Sequence, residues 1–268
     1  MDAEIIDRTR RSLLSALEHM PVVIDKLRYR RKPISVGGCY RTLSGDHKAL
    51  GVHGYFIDGN VQSLKQHFYI ACKLSAASVG LEGGEGFVTY SPYLYGLLSD
   101  SPEIIDWLAH VETPELIRAR NNPLWHGFHL HMLQLALRDE HEALQAKIEK
   151  AARSAKKPLR DDFATGKDFY SLLLKRDKEG LERHIQHWAK KQTGDPLVDD
   201  FLAEGSTLRA KLCWLKGIPV QIDSPLVPME LMPIQPLAHY DDVYDFLQPG
   251  WVPPSQGIVG RVSRWLKR

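Results

Sequence analysis

One stretch of the sequence occurs twice, and both copies have the pattern of a helical hairpin. The segment "HMLQLALRDEHEALQAKI" (131–148) aligns with "DFYSLLLKRDKEGLERHI" (168–185) at a constant offset of 37 residues. Apolar positions coincide in the alignment, for example Leu144 with Leu181. Each copy reads as an apolar helix, a charged turn and a second amphipathic helix. Such a period is typical of tetratricopeptide-like stacked hairpins, although the specific tetratricopeptide signature is absent.

The rest of the first 216 residues is also predicted to be helical. Asn60 precedes an apolar stripe as a helix cap would, and Ser101 and Thr113 each stand before a proline that can occupy the first helical position. The segment 194–217 reads as one more helix. We therefore expect an all-α fold of stacked antiparallel helical hairpins over residues 1–216.

The composition changes after this helical part. Residues 217–260 contain no lysine or arginine, five acidic residues and eight of the sixteen prolines. Their apolar residues favour packing over the helical core, because a solvated tail would contain fewer of them. The sequence thus predicts a Pro-rich extension, residues 217–268, on the same core, interrupted by a short helix at 240–247.

Composition excludes several classes of protein. The 268 residues carry a net charge of +2, so general attraction to nucleic acid or to an anionic membrane is not expected. No apolar run reaches the length of a membrane-spanning helix. The three cysteines have no metal-ligand spacing, which indicates reduced thiols in a cytoplasmic protein. The amphipathic start lacks the pattern of a secretion signal.

The motif "WHGFHLH" (125–131) raises the question of a metal site. His126 and His129 are three residues apart and can share a helix face, while His131 points elsewhere. A zinc motif of the HExxH kind needs a spacing of four and an acidic residue between the histidines, and neither is present. We interpret the motif as a packed helix and expect no catalytic residues, no metal and no cofactor. A metal-dependent enzyme centred on His126 and His129 stays an alternative, which bound zinc would reveal.

Acidic and aromatic residues near the C-terminal end suggest a binding surface. The segments "DDF" (199–201) and "HYDDVYDF" (239–246) combine carboxylates with aromatic rings, which are enriched at interface centres. The alternative is a solvated helix face with buried aromatic residues. The negative charge of the extension favours a positively charged partner. The predicted contact residues are Asp199, Asp200, Glu204, Asp241, Asp242, Asp245 and Trp251.

The chain resembles the immunity protein 49 family of bacterial polymorphic toxin systems. The pattern "FYSLLLKRDKEGLERHI", in which an apolar helix ends in a charged Arg-Asp turn, and the Pro-rich part after the last long helix carry the resemblance. It covers roughly residues 13–247. Related helical immunity proteins of polymorphic nuclease effectors share these features.

The resemblance implies a cytoplasmic protein without catalytic activity that binds a cognate toxin and blocks it by occlusion. Nuclease toxins are usually basic, so a nuclease with a basic surface is the partner it suggests, although the near-neutral charge of this chain departs from that pattern. No direct contact with nucleic acid or with a membrane is expected. The other reading of the sequence is a helical-repeat adaptor for an endogenous complex.

Overall fold

The computed structural model describes residues 3–30, 34–190 and 197–254, and this part of the chain is all-α. It contains twelve α-helices and two 3-10 turns, and no strand. The helices are α1 Ala3–Tyr29, α2 Val36–Phe56, α3 Val61–Ala77, α4 Tyr90–Leu98, α5 Pro102–His110, α6 Pro114–Ala119, α7 His126–Leu137, α8 His141–Ser154, α9 Leu159–Thr165, α10 Phe169–Leu174, α11 Lys178–Trp188 and α12 Glu204–Leu215.

Side-chain caps begin several of these helices where the sequence predicts them. Asn60 accepts a hydrogen bond from the backbone N–H of Ser63 at the start of α3. Ser101 and Thr113 accept in the same way at α5 and α6, and a proline follows each of them at the helix start. These caps satisfy backbone donors that have no partner within the helix.

The two copies of the sequence repeat form helical hairpins with matching turns. Helices α7 and α8 make the first hairpin, and α10 and α11 make the second. Asp139 and Arg176 occupy equivalent positions in the turns and both have left-handed backbones, with φ of 57° and 53°. The next amide, of Glu140 or Asp177, bonds the carbonyl five residues earlier at 3.0 Å in both copies. Repetition of this unit along the whole chain stays a prediction.

The core runs from α1 to the C-terminal extension. Phe68 on α3, Tyr95 on α4 and Phe128 on α7 are fully buried. A Cβ atom on Gly51 of α2 would lie 2.9 Å from the Phe68 ring, so the glycine allows α2 and α3 to pack closely. Residues of the extension join the same core, namely Ile218, Val220, Ile222, Val227, Leu231, Met232, Tyr244 and Phe246.

Helix α1 is long but amphipathic. It spans 27 residues and includes Pro21 in its interior. Its buried residues include Ala16, Val23 and Leu27, whereas charged residues occupy the opposite side. Across the described ranges, no helix is both long and apolar enough to cross a membrane.

The predicted helix at 194–217 is wrong in its first half. The helix is α12 and begins only at Glu204, while residues 197–201 form turns and residues 194–196 lie outside the described part. Val198, Phe201 and Leu202 are buried. The amide of Ala203 bonds the Leu226 carbonyl at 2.8 Å, so this backbone supports the extension and does not continue a helix.

The predicted helix at 240–247 is also wrong, because only a 3-10 turn, Asp245–Leu247, forms there. A second 3-10 turn lies earlier in the extension, at Met229–Leu231. The side chain of Gln66 on α3 binds both backbone groups of Asp241: its Nε2 donates to the carbonyl at 2.9 Å, and its Oε1 accepts from the amide at 3.1 Å. These bonds satisfy the groups that a helix would have paired internally.

Candidate functional site

Three of the predicted contact acids bind cations or hydroxyls of this chain. Asp200 forms an ion pair with Arg8 of α1, and its side chain is only 7% exposed. Asp245 accepts from Arg28, also of α1, at 3.0 Å. Asp242 accepts from the Tyr69 hydroxyl at 2.8 Å. These carboxylates hold the C-terminal part against the helices.

The other predicted contact residues differ in accessibility. Glu204 accepts from the Ser91 hydroxyl at 2.6 Å, and Asp199 is partly buried. Trp251 packs against the Phe246 ring, with centroids 6.1 Å apart. The side chain of Asp241 is 70% exposed and lies 3.0 Å from His239 Nε2. Asp241 is therefore the acid of this set that faces solvent most openly.

The predicted acids do not form one surface. Asp200 is held by Arg8 near the start of α1, and Asp245 is held by Arg28 near its end. Twenty residues of helix separate the two arginines, which corresponds to about 30 Å. The sequence could not reveal this separation, because it depends on how α1 lies along the other helices.

A buried ionic cluster fixes the extension to the helical core. Asp100, in the turn between α4 and α5, has a side chain with 0% exposure. Lys65 Nζ lies 2.8 Å from its Oδ2, and Lys211 Nζ lies 2.6 Å from its Oδ1. Lys65 also donates to the Gln235 carbonyl at 2.6 Å, and Lys211 to that of Leu231 at 2.7 Å. Each charge in this cluster has a charged partner, so we assign it a structural role.

A histidine pair makes a second attachment of the extension. His47 Nδ1 lies 3.0 Å from His67 Nδ1, and His47 Nε2 lies 2.7 Å from the Tyr244 hydroxyl. Burial, assisted by His67, lowers the pKa of His47 to about 3, so the ring is neutral near pH 7. Burial raises the pKa of the neighbouring Asp46 to about 6, and its Oδ2 has no hydrogen-bond partner.

The histidines of the "WHGFHLH" motif lie beside an arginine that the sequence did not mark. Arg209 of α12 packs its guanidinium over the Phe169 ring, 5.6 Å from the centroid. Burial and the charge of Arg209 lower the pKa of His126, and the same two causes lower that of His184 to about 4. Burial, then the charges of His126 and Arg209, lowers the pKa of His129 to about 4. The charge of Arg209 on α12 thus acts on imidazoles of both α7 and α11.

The cluster does not have the composition of a metal site. Within the described residues, no group of three His, Cys, Asp or Glu side chains has positions suited to hold a metal ion. His131 lies apart, beside Lys147 and Arg120, as its place in the helix predicts. Arg209 as the central group indicates affinity for anions and not for metal cations.

The turn before α7 presents two large apolar side chains to solvent. Leu124 is 53% exposed and Trp125 is 46% exposed. Asn122 fixes the turn, because its carbonyl accepts from the Trp125 amide and its side-chain oxygen from the Leu124 amide, both at 3.0 Å. Lys147 of α8 donates to the carbonyl of Arg120 at 2.5 Å and so fixes the backbone two residues before Asn122. The exposed pair is therefore carried by an ordered backbone.

Comparison with protein-family models, curated proteins and solved structures gives no match for this chain. Roles for Trp125 and Arg209 accordingly rest on their own contacts. Trp125 belongs to the "WHGFHLH" motif, which is visible in the sequence. Arg209 is one of many charged residues on predicted helices, and only the packing of α7, α11 and α12 distinguishes it.

Proposed function

We propose that this chain is a cytoplasmic immunity protein that binds a cognate bacterial toxin and blocks it, without catalytic activity of its own. The observation that supports this proposal best is the exposed pair Leu124 and Trp125 on the ordered turn before α7. The resemblance carried by the second hairpin and the Pro-rich extension supplies the class of partner.

The exposed pair has the properties of an interface centre. Tryptophan is enriched among residues whose truncation weakens protein complexes most. The hydrogen bonds of Asn122 and Lys147 already order the turn, so binding loses less conformational entropy there than at a mobile loop. Two adjacent large apolar side chains on such a turn favour a partner with an apolar pocket.

This surface replaces most of the acidic one expected from the sequence. Asp200, Asp242 and Asp245 are engaged by Arg8, Tyr69 and Arg28 and contribute to the fold. Asp241 remains able to contact a basic partner such as a nuclease, because its side chain is 70% exposed. Charge reversal at Asp241 is expected to have a smaller effect than truncation of Trp125.

The test uses the tagged chain to capture its binding partner from a lysate of the bacterium that encodes it. Mass spectrometry identifies the captured protein, which is then expressed alone. The proposal expects a protein that stops growth when expressed alone and is harmless when this chain is co-expressed. A captured protein that is harmless alone would contradict immunity and favour the adaptor.

A matched pair of variants locates the contact. Trp125→Ala should weaken binding at least about 30-fold and abolish protection, since an interface-centre tryptophan contributes about 2 kcal/mol or more. Trp188 on α11 is equally exposed, at 47%, and Trp188→Ala should leave binding unchanged. Equal loss of binding in both variants would show that the turn before α7 is not the specific contact.

A further inference from the structure

Arg209 is a partly buried cation that no carboxylate of the described chain neutralises. Its contact is the face of the Phe169 ring, and within residues 3–30, 34–190 and 197–254 its N–H groups have no hydrogen-bond acceptor. A guanidinium has five N–H donors in a planar fork. A contact with a ring face uses none of these N–H groups as hydrogen-bond donors, so they can bind a ligand.

A neutral imidazole shares the Phe169 ring with this fork. His184 packs on the same Phe169 ring as Arg209, and the centroids of the His184 and Phe169 rings are 6.1 Å apart. His126 packs its ring on Tyr90 at 4.3 Å, close enough to Arg209 for the arginine charge to lower its pKa. The positive charge is therefore concentrated on the arginine, and the His184 ring adds a polar N–H group beside the same Phe169 ring.

Acids on the neighbouring elements do not compete for Arg209. Asp168 accepts from the Tyr170 amide at 3.0 Å and caps α10, and burial raises the pKa of its carboxyl group. Glu204, on α12, accepts from the Ser91 hydroxyl at 2.6 Å. Neither carboxylate reaches ion-pair distance of Arg209, so an external anion would meet an unpaired cation.

A solvent-exposed cavity borders His184 and not Arg209, and its wall is rich in cations. The cavity has a volume of about 640 Å³ and lies beside α9, α10 and α11. Asp177 in the wall is occupied as the cap of α11, where it accepts from the Gly180 amide. Cationic side chains in the wall raise the local concentration of anions. The wall also contains Lys167, Lys175, Arg183 and the acid Asp162.

We propose that Arg209, together with His184 on the same Phe169 ring, binds an oxyanion, either a carboxylate or a phosphate group. The guanidinium edge donates two parallel hydrogen bonds to two oxygens of the anion, and the N–H of the neutral His184 ring donates to one of its oxygens. This site is independent of toxin binding at Trp125, so either proposal can fail without the other.

The experiment is thermal unfolding of the whole chain with increasing phosphate or acetate, at constant ionic strength and with chloride as the reference. We expect one of the two anions to raise Tm by roughly 5 °C at about 100 times its Kd. A stronger effect of phosphate identifies phosphate compounds as the ligand class, and a stronger effect of acetate identifies carboxylates. No shift with either anion would overturn the proposal.

Variants at Arg209 test the geometry of the site. Arg209→Gln should abolish the shift, and Arg209→Lys should weaken binding about tenfold or more because a lysine lacks the planar fork. Arg153, exposed in the last turn of α8, gives the control Arg153→Gln, which should behave as the wild type. An unchanged shift in Arg209→Gln would refute the site. If that variant does not fold, His184→Ala decides, since a several-fold weaker binding is expected and equal binding would refute the site.

Discussion

Arg209 and Lys211 are two residues apart on the same helix, yet their environments are opposite. At about 100° per residue they point to nearly opposite sides of α12. Lys211 has 0% side-chain exposure and contacts Asp100 and three carbonyl groups of the extension. Arg209 is partly exposed and contacts a ring face. A cation with partners inside the fold stabilises the fold, whereas a cation that lacks them is suited to bind something else.

The same contrast occurs on α2, between two adjacent residues. His47 has a partner on each ring nitrogen, one on α3 and one in the extension. Asp46 has a buried oxygen without a partner. The pairing of each buried group therefore indicates whether a substitution will cost stability or increase it.

The largest expected effect comes from removing the carboxylate at the centre of the buried ionic cluster. Asp100→Asn should lower the free energy of unfolding by about 5 kcal/mol, because it leaves two buried lysines without a counter-charge. Urea unfolding measures this change. Asp139→Asn is the control, since Asp139 has the same φ of 57° in an exposed turn and should lose less than about 1 kcal/mol. Equal losses would mean that the left-handed backbone, and not the charge, determines the effect.

A direct comparison of the two cations of α12 comes next. Lys211→Gln should cost about 3 kcal/mol, because the amide cannot reach Asp100 and the carbonyl groups together. Arg209→Gln should cost less than about 1 kcal/mol, because it removes no ion pair. Both free energies of unfolding come from urea denaturation without added phosphate. A greater loss for Arg209→Gln would contradict the distinction between structural and ligand-binding cations.

The histidine pair predicts a loss of stability in acid. The pKa of His47 is lowered to about 3 in the fold, so the unfolded chain takes up a proton first as pH falls below its ordinary value of 6.5. Between pH 6.5 and pH 5 this should remove about 2 kcal/mol of stability, and the loss should continue as pH approaches 3. His47→Gln should lose about 2 kcal/mol less than the wild type over that interval. Parallel pH profiles for the two proteins would contradict this assignment.

The smallest expected effect is a gain. The pKa of Asp46 is raised to about 6, so its favourable contribution is present in acid and is lost as pH rises from about 4 through 6. Asp46→Asn should therefore stabilise the protein at pH 8 by about 1 kcal/mol, since the unpaired amide offsets part of the gain from removing a buried charge. At pH 4 the folded carboxyl group is protonated, so the same variant should be less stable than the wild type by about 1 kcal/mol. Thermal unfolding at both pH values checks this, and equal effects at the two would count against burial of the charge as the cause.

The helical character could be read from the sequence because it depends on local signals. Caps such as Asn60 and the turns at Asp139 and Arg176 involve residues close together in the chain. The absence of a helix at 240–247 could not be predicted, because Gln66, about 175 residues earlier, binds that backbone. The arrangement around Arg209 has the same origin, since it depends on packing among helices that are distant in sequence.

The bond between Lys65 and the carbonyl of Gln235 joins residues 170 positions apart, and this separation has a consequence during synthesis. A ribosome adds roughly 5 to 20 residues per second, so Lys65 is synthesised about 10 to 30 seconds before its acceptor exists. During that interval its ammonium group is best kept in water, and the nascent chain cannot close fully around it. Truncated products that stop before residue 235 would keep this opening and present it to cellular proteases, so the surviving pool would consist of molecules that extend at least to Gln235.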